Sequence, residues 1–198
     1  MPDRIAAHYE RHAHAFDEAR RKRFVERGWL DRLLLAVPAG GRILDLGCGA
    51  AEPIGRYLID KGLRVTGVDQ SETMIALSRT RFPRHDWIRA DMRSFVPAYR
   101  YDAVLAWDSM FHLRHEEQAA LVTQVAAWLA PGGAFLFNSG PARGVAIGCQ
   151  FGEEIYHASL APLEYRAIFE ELGLLELGFA PDDAATGGRS VWLVRKEH

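Results

Sequence analysis

Cysteine is scarce in this sequence, which has only Cys48 and Cys149, far apart along the chain. The two do not have the close spacing of metal ligands. A disulfide framework is therefore excluded as the basis of the fold, and this cysteine usage is typical of the reducing cytoplasm.

Long apolar runs and an excess of one charge are also absent. One of the longest apolar runs, residues 33–37, is far shorter than the ~20 residues that a membrane helix needs. The polar first turn does not resemble a secretion signal. Lysine and arginine number 24 against 26 aspartate and glutamate, a formal net charge of −2, which argues against a nucleic-acid surface. We expect a cytoplasmic protein that binds neither membranes nor nucleic acid.

The apolar content is sufficient for one folded unit. The 198 residues are 48% hydrophobic and 25% charged, as in ordinary globular domains, so we expect a single domain over residues 1–198. Residues 1–37 alternate charged and apolar side chains at helical spacing, which predicts an N-terminal helical cover. The basic run at residues 20–23 is interpreted as a solvent-exposed helix face rather than an anion site.

After a Pro/Gly break at residues 38–41, short apolar runs alternate with longer amphipathic ones. The short runs predict strands at residues 42–46, 64–68, 87–89, 103–107 and 134–137. The longer runs predict helices at residues 53–61, 72–81 and 116–129. Alternation of this kind is typical of an α/β protein with a parallel sheet and helices on both faces.

The last third of the chain has a different pattern. Residues 141–161 are predicted to be an irregular loop or lid. Residues 162–198 predict a helix that begins at Pro162 and ends at Gly173, followed by a hairpin with strands at 174–179 and 190–194. Strands joined in this way pair antiparallel, so one of them is expected at the sheet edge against the prevailing direction.

A glycine loop follows the first predicted strand, in the sequence Asp45-Leu-Gly-Cys-Gly-Ala-Ala-Glu-Pro. Glycine permits a tight turn and close approach of a ligand to the backbone, and the following helix start presents free N–H groups. Asp69 ends the next strand twenty residues after Gly49, where a carboxylate can accept both ribose hydroxyls of an adenosine. The alternative role for Asp69 is a helix N-cap, which Ser71 or Glu72 can also supply.

Acidic residues mark four predicted strand ends: Asp45, Asp69, Asp91 and Asp108. A single aspartate at such a position is commonly a cap. In an open α/β sheet, however, ligands bind outside the carboxyl ends of the strands. Four acids in series therefore predict one shared binding crevice.

Five segments together resemble the ordered motif set of class I S-adenosylmethionine-dependent methyltransferases: Asp45-Leu-Gly-Cys-Gly, Gly67-Val-Asp-Gln-Ser with Met74, Ala90-Asp-Met, Tyr101-Asp-Ala-Val-Leu and Leu129-Ala-Pro-Gly-Gly-Ala. The resemblance spans about residues 42–138, the expected cofactor-binding core. It implies a Rossmann-like, seven-stranded, mostly parallel sheet with a reversed last strand, and S-adenosylmethionine as the cofactor. One departure is Ala51, which stands where the family often has a third glycine.

The resemblance also implies residue roles. Gly47, Cys48 and Gly49 would border the methionine part of the cofactor, and Asp45 would orient the loop or the amino group. Asp69 would hold the ribose, and the remaining implied cofactor contacts are Tyr9, Gln70, Met74, Asp91, Met92 and Asp108.

The acceptor side of the predicted crevice is less well defined by the sequence. His112, four residues beyond Asp108, is the candidate general base, although a loop residue that bonds the backbone is an equally good interpretation. Ser139, Tyr156 and His157 are the candidate acceptor-binding residues. The expected reaction moves a methyl group to an oxygen or nitrogen of a small molecule whose identity is not predicted, nor is the oligomeric state.

No metal site is predicted. His8 and His12 are four residues apart but have no third ligand near them in sequence. Asn138 follows the fifth predicted strand and is expected beside Asp108, which resembles the arrangement in metal-dependent catechol-type methyltransferases. The second acidic ligand that those enzymes require is not evident.

Two alternative functions stay open. A glycine loop with a ribose acid also serves NAD(P)-dependent oxidoreductases, although their third glycine is missing here and Tyr57-Leu-Ile-Asp-Lys61 lies too early in the chain to be their Tyr/Lys pair. The second alternative is a non-catalytic S-adenosylmethionine-binding module, which no sequence feature excludes.

Overall fold

The structure is a computed structural model that describes residues 4–197. Residues 1–3 of the expected N-terminal cover and residue 198 of the expected C-terminal segment lie outside this range. The α-helices are α1 (Ile5–Arg11), α2 (Ala13–Arg20), α3 (Arg27–Leu34), α4 (Ile54–Asp60), α5 (Glu72–Arg81), α6 (His115–Trp128) and α7 (Pro162–Leu172). The strands are β1 (Arg42–Leu46), β2 (Arg64–Asp69), β3 (Asp86–Arg89), β4 (Tyr101–Ala106), β5 (Leu129–Ser139), β6 (Gly144–Gln150), β7 (Glu153–Ser159), β8 (Leu174–Asp183) and β9 (Arg189–Lys196). None of the helices in this range is both long and apolar enough to cross a membrane.

Seven strands form one sheet in the order β3-β2-β1-β4-β5-β9-β8. The first five are parallel, and β9 is antiparallel to both β5 and β8. The mostly parallel sheet with a reversed last strand is therefore confirmed. The reversed strand was expected at the edge of the sheet. Instead, β9 lies between β5 and β8, and β8 forms the edge. Residues 190–194 of β9 are fully buried, which suits an interior strand, whereas β8 is largely exposed and suits an edge.

Helices cover both faces of the sheet because the strand side chains alternate. Leu44 and Leu46 of β1 pack into the core beneath α6 and α7, and Ile43, which precedes Leu44, packs against Leu30 and Leu33 of α3 on the opposite face. The alternation explains why the strand runs are apolar throughout, since neither face meets water.

The N-terminal segment is three helices rather than one continuous cover. Residues 21–26 leave the helical path, and Glu26 in this turn is fully buried. The turn redirects the chain, so that α3 packs on the sheet while α1 contacts β7 and α2 contacts α5. As a result, α1 and α2 lie across the carboxyl ends of the strands.

Residues 141–161 are not an irregular loop, and this expectation was wrong. β6 and β7 pair as an antiparallel hairpin in which Gln150 faces Glu153. Phe151 and Gly152 form its turn with φ of 51° and 79°, the left-handed backbone that two-residue hairpin turns require. Phenylalanine rarely adopts this conformation, so the sequence carried no recognisable turn signal.

Candidate functional site

A deep cleft opens at the carboxyl ends of β1, β2 and β4, beneath α1 and α2. It has an empty volume of about 1140 Å³, including its open mouth, which is on the scale of a small-molecule site. All but one of the expected cofactor-binding residues line it, together with His112: Tyr9, Asp45, Gly47, Cys48, Gly49, Asp69, Gln70, Met74, Met92 and Asp108.

Asp91 and the three candidate acceptor-binding residues do not line this cleft. The Asp91 carboxylate is turned toward Arg93, whose Nη2 donates to Oδ2 at 2.5 Å in a charge-assisted hydrogen bond. Ser139 and His157 line a separate hollow beyond β5. Tyr156 contributes its backbone carbonyl to the site rather than its ring.

The glycine loop is shaped by close packing against the β4 end. A Cβ added at Gly47 (φ 78°) would lie 2.4 Å from Ser109 Cβ, so no other residue fits there. Ala51 also has a positive φ, 61°. Ala51 stands where the family often has a third glycine. Its backbone is left-handed, a conformation that glycine adopts readily and that the alanine side chain disfavours.

Asp69 connects the glycine loop to the end of β2. Its Oδ2 accepts the Gly49 backbone N–H at 2.9 Å, and its Oδ1 accepts the Ser71 N–H at 2.9 Å. Ser71 itself caps α5 by accepting the Met74 N–H, so Asp69 is not the helix cap. The backbone of Gln70 adds a further hydrogen bond, and a carboxylate, which has about four lone-pair positions, still has room to accept a ligand hydroxyl. Burial raises the pKa of Asp69.

Asp45 is a buried acid on the cleft floor. It is 3% exposed, and no hydrogen bond reaches its carboxylate from residues 4–197 of the structure. Burial raises the pKa of Asp45 to about 7, and the negative charges of Asp69 and Glu26 add to the effect while Arg20 opposes it. An unpaired buried carboxyl is costly unless a ligand satisfies it, so this group is suited to a cationic ligand.

Arg20 is the residue that sequence reasoning missed. The exposed-face interpretation is wrong for it, because its side chain lines the cleft. Its guanidinium donates to Glu26 Oε1 and, at 2.7 Å, to the Arg23 carbonyl. The available signal was Phe16, an apolar residue four positions earlier that lines the same cleft. The buried Glu26 that orients Arg20 has no signal, since it lies in a non-helical turn.

The protonation of His112 follows from its two partners. Its Nδ1 lies 2.8 Å from the Tyr156 carbonyl, which only accepts, so Nδ1 carries the hydrogen. Nε2 therefore has a free lone pair and accepts the Tyr9 hydroxyl at 3.0 Å. Burial lowers the pKa of His112 to about 4, so the ring is neutral at pH 7. Burial raises the pKa of Tyr9, which stays protonated.

Asp108 is a scaffold residue at the cleft wall. Arg189 donates to its two carboxylate oxygens at 2.6 and 2.7 Å, and Asn138 Nδ2 donates to Oδ1 at 2.9 Å. These bonds hold Asp108 in a left-handed backbone conformation, φ 51°. The carboxylate of Asp108 is hydrogen-bonded to protein side chains through both oxygens, whereas that of Asp45 accepts no hydrogen bond from residues 4–197.

The sequence is similar to known methyltransferases. The "Methyltransferase domain" family matches residues 43–133. A probable S-adenosylmethionine-dependent methyltransferase of Mycolicibacterium smegmatis is 33% identical over 162 residues, covering 76% of this chain and 62% of that protein. A trans-aconitate 2-methyltransferase of Azoarcus sp. is 33% identical over 105 residues, covering 51% and 40%. The chain thus spans less than two thirds of these curated relatives.

The fold is similar to that of a solved methyltransferase. The Burkholderia thailandensis 1,6-didemethyltoxoflavin-N1-methyltransferase, crystallised with bound 1,6-didemethyltoxoflavin and S-adenosylhomocysteine, superposes with a TM-score of 0.76 at 16% identity, covering 98% of this chain and 88% of that one. The family model, the sequence relatives and the fold all show a resemblance to class I S-adenosylmethionine-dependent methyltransferases.

Proposed function

We propose that this protein binds S-adenosylmethionine in the cleft and transfers its methyl group to an oxygen or nitrogen of a small molecule. The observation that carries the proposal is Asp45, a buried acid on the floor of a cleft whose wall holds Asp69, with no hydrogen-bond partner for its carboxylate among residues 4–197. A ligand with cationic groups and a ribose satisfies both. Arg20 supplies the opposite charge for the ligand's carboxylate.

Four residues of the cleft have a proposed role in cofactor binding. Asp45 neutralises positive charge on the cofactor, and Arg20 faces its carboxylate. Asp69 accepts the ribose hydroxyls while it holds the glycine loop through Gly49. Met92 and its neighbours, rather than the Asp91 carboxylate, form the wall proposed for the adenine.

The proposed chemistry requires little from the protein beyond alignment, dehydration and a proton acceptor. When bound, S-adenosylmethionine supplies a methyl group on a positively charged sulfur that leaves as a neutral thioether. Alignment in a closed cleft lowers the barrier by several kcal/mol. An acceptor that carries a proton at neutral pH also needs a base. His112 supplies the lone pair on Nε2, and Tyr9, hydrogen-bonded to it, is placed to pass the proton from the cleft.

We expect His112→Ala to lower turnover by roughly 100-fold, the lower range for loss of a general base, with no change in cofactor affinity. Because the pKa of His112 is about 4, its protonation should not lower turnover until the pH falls toward 5. Steady-state kinetics separate kcat from KM, with the exposed His14→Ala as control. Equal turnover of His112→Ala and wild type would remove His112 as the base.

The function itself is tested by ligand-induced stabilisation, since only a ligand of the native state raises Tm. S-adenosylmethionine and S-adenosylhomocysteine are expected to raise it, and NAD⁺ and NADP⁺ are not. Labelled methyl transfer to a panel of small hydroxyl, carboxyl and amine compounds then identifies the acceptor class. Stabilisation by the nicotinamide cofactors alone would overturn the proposal. Cofactor binding without transfer to any acceptor would support the non-catalytic alternative.

A further inference from the structure

A second cluster of ionisable side chains lies outside the cleft, where the N-terminal helices meet the hairpin. His8 of α1, His12 between α1 and α2, and Glu153 at the start of β7 each offer one ligand atom, and these atoms lie within 4.8 Å of one another. His8 is 3% exposed. The third ligand missing from the local sequence is therefore supplied by a residue more than 140 positions away.

Glu153 lies at the separation of neighbouring metal ligands from each histidine, and the three ligand atoms as a set lie within 4.8 Å of one another. Glu153 Oε2 lies 3.2 Å from His8 Nδ1, and Oε1 lies 2.9 Å from His12 Nε2. Ligands at ~2.0–2.2 Å from a tetrahedral Zn²⁺ are about 3.3 Å apart. Two histidines and one glutamate are also a set that zinc sites commonly use.

A neighbouring amide holds the ring of His8 in place. Gln150 Oε1 lies 3.0 Å from His8 Nε2, while His8 Nδ1 faces Glu153. A hydrogen bond on the ring nitrogen that faces away from the ion is the outer contact that typically orients a metal-binding histidine.

The turn of the β6–β7 hairpin packs against the two histidines of the cluster. Phe151 stacks on the rings of both His8 and His12, with centroids 6.2 and 5.0 Å away. Arg11 would compete with a metal ion for Glu153, because its Nη2 donates to Glu153 Oε2 at 2.5 Å. Half of the Arg11 side chain is exposed, so it can swing into solvent without leaving a buried charge behind.

We propose that His8, His12 and Glu153 form a three-ligand site for a divalent transition metal ion of the Zn²⁺ type, with the fourth position left to water, and that the bound ion fastens the N-terminal helices to the β6–β7 hairpin. Imidazole and carboxylate ligands favour such an ion over Mg²⁺. The site lies between the two segments that hold His112, since Tyr9 follows His8 and Tyr156 follows Glu153 along their segments. Occupancy would therefore stabilise the cover over the cleft.

The test is Zn²⁺ binding by tag-free, chelator-stripped full-length protein without any cofactor, so that its result is independent of methyl transfer. We expect one Zn²⁺ per chain, and a rise in Tm of about 5 °C or more at a free Zn²⁺ concentration 100 times Kd. Mg²⁺ should give no shift. His12→Ala and Glu153→Gln should each lose the bound Zn²⁺ and the shift, whereas His14→Ala, an exposed histidine two residues away, should keep both.

Arg11→Ala separates a metal site from a simple ion-pair contact. If the cluster binds metal, removal of the competing guanidinium tightens Zn²⁺ binding. If it is only an ion-pair contact, Arg11→Ala lowers Tm with or without Zn²⁺ and creates no binding. Absence of stoichiometric Zn²⁺ in both wild type and Arg11→Ala, or retention of Zn²⁺ by His12→Ala, would overturn the proposal.

Discussion

Asp45→Asn is expected to stabilise the unliganded protein at pH 8 by on the order of 4 kcal/mol and to remove most of its affinity for S-adenosylmethionine. The pKa of Asp45 is about 7 in the fold, against about 3.9 in an unfolded chain. Between these values the folded state binds the extra proton, so stability from this group is lost as pH rises from about 4 to 7. Asparagine has the same shape and carries no buried charge.

Chemical denaturation at pH 5 and pH 8 measures this effect. The gain from Asp45→Asn should be largest at pH 8 and should shrink at pH 5, where the folded wild type already holds the proton. Asp60→Asn, an exposed aspartate on α4, is the control and should change little. An equal gain at both pH values, or none, would contradict the account of Asp45 as an uncompensated buried acid.

The same ionisation predicts how cofactor affinity depends on pH. A cationic ligand favours the charged carboxylate, so binding expels the proton from Asp45 below pH 7. Affinity for S-adenosylmethionine should therefore rise from pH 5.5 to 7 and level off above it. Calorimetry should show this rise in wild type and its absence in Asp45→Asn.

Asp69→Ala is expected to lower cofactor affinity at least tenfold, on the order of 1.4 kcal/mol or more, because hydrogen bonds to a charged acceptor are among the stronger ones. The change also leaves the N–H groups of Gly49 and Ser71 without their acceptor, so the loop loses its shape as well as its ligand contact. The loss should exceed what the ribose contacts alone predict.

Calorimetric titration of S-adenosylmethionine and of S-adenosylhomocysteine into the Asp69→Ala, Asp69→Asn and Glu72→Ala variants separates these contributions. Asparagine keeps one acceptor oxygen, so its loss should be smaller than that of alanine. Glu72 is an exposed acid that pairs with Arg89, and its removal should leave affinity unchanged. Wild-type affinity in Asp69→Ala would exclude Asp69 from the binding site.

The main sheet could be predicted because its signals are local. The expected strands at residues 42–46 and 64–68 agree with β1 and β2 to within one residue. A strand buried on both faces must be apolar over its whole length, and the turn after it must carry residues that tolerate the turn geometry, as Gly47 does. The order of acids at the strand ends follows from parallel connectivity alone.

The hairpin at β6–β7 and the split of the N-terminal helices could not be predicted, because both depend on burial that the sequence does not show. Glu26, in the turn between α2 and α3, is fully buried and accepts from Arg20, whereas a glutamate is ordinarily exposed. The Phe151-Gly152 turn is stable where the phenylalanine ring packs on His8 and His12, which belong to the opposite end of the sequence.

By itself, the sequence determined the parallel α/β order, the glycine loop and the acids that follow each strand, since these depend on residues close together in the chain. Only the tertiary structure decided which carboxylates remain unpaired. Arg189 of β9 donates to Asp108, 81 positions earlier in the chain, while no basic side chain hydrogen-bonds to Asp45 within residues 4–197. Burial and pairing set the charge of each acid, and both depend on neighbours that only folding brings together.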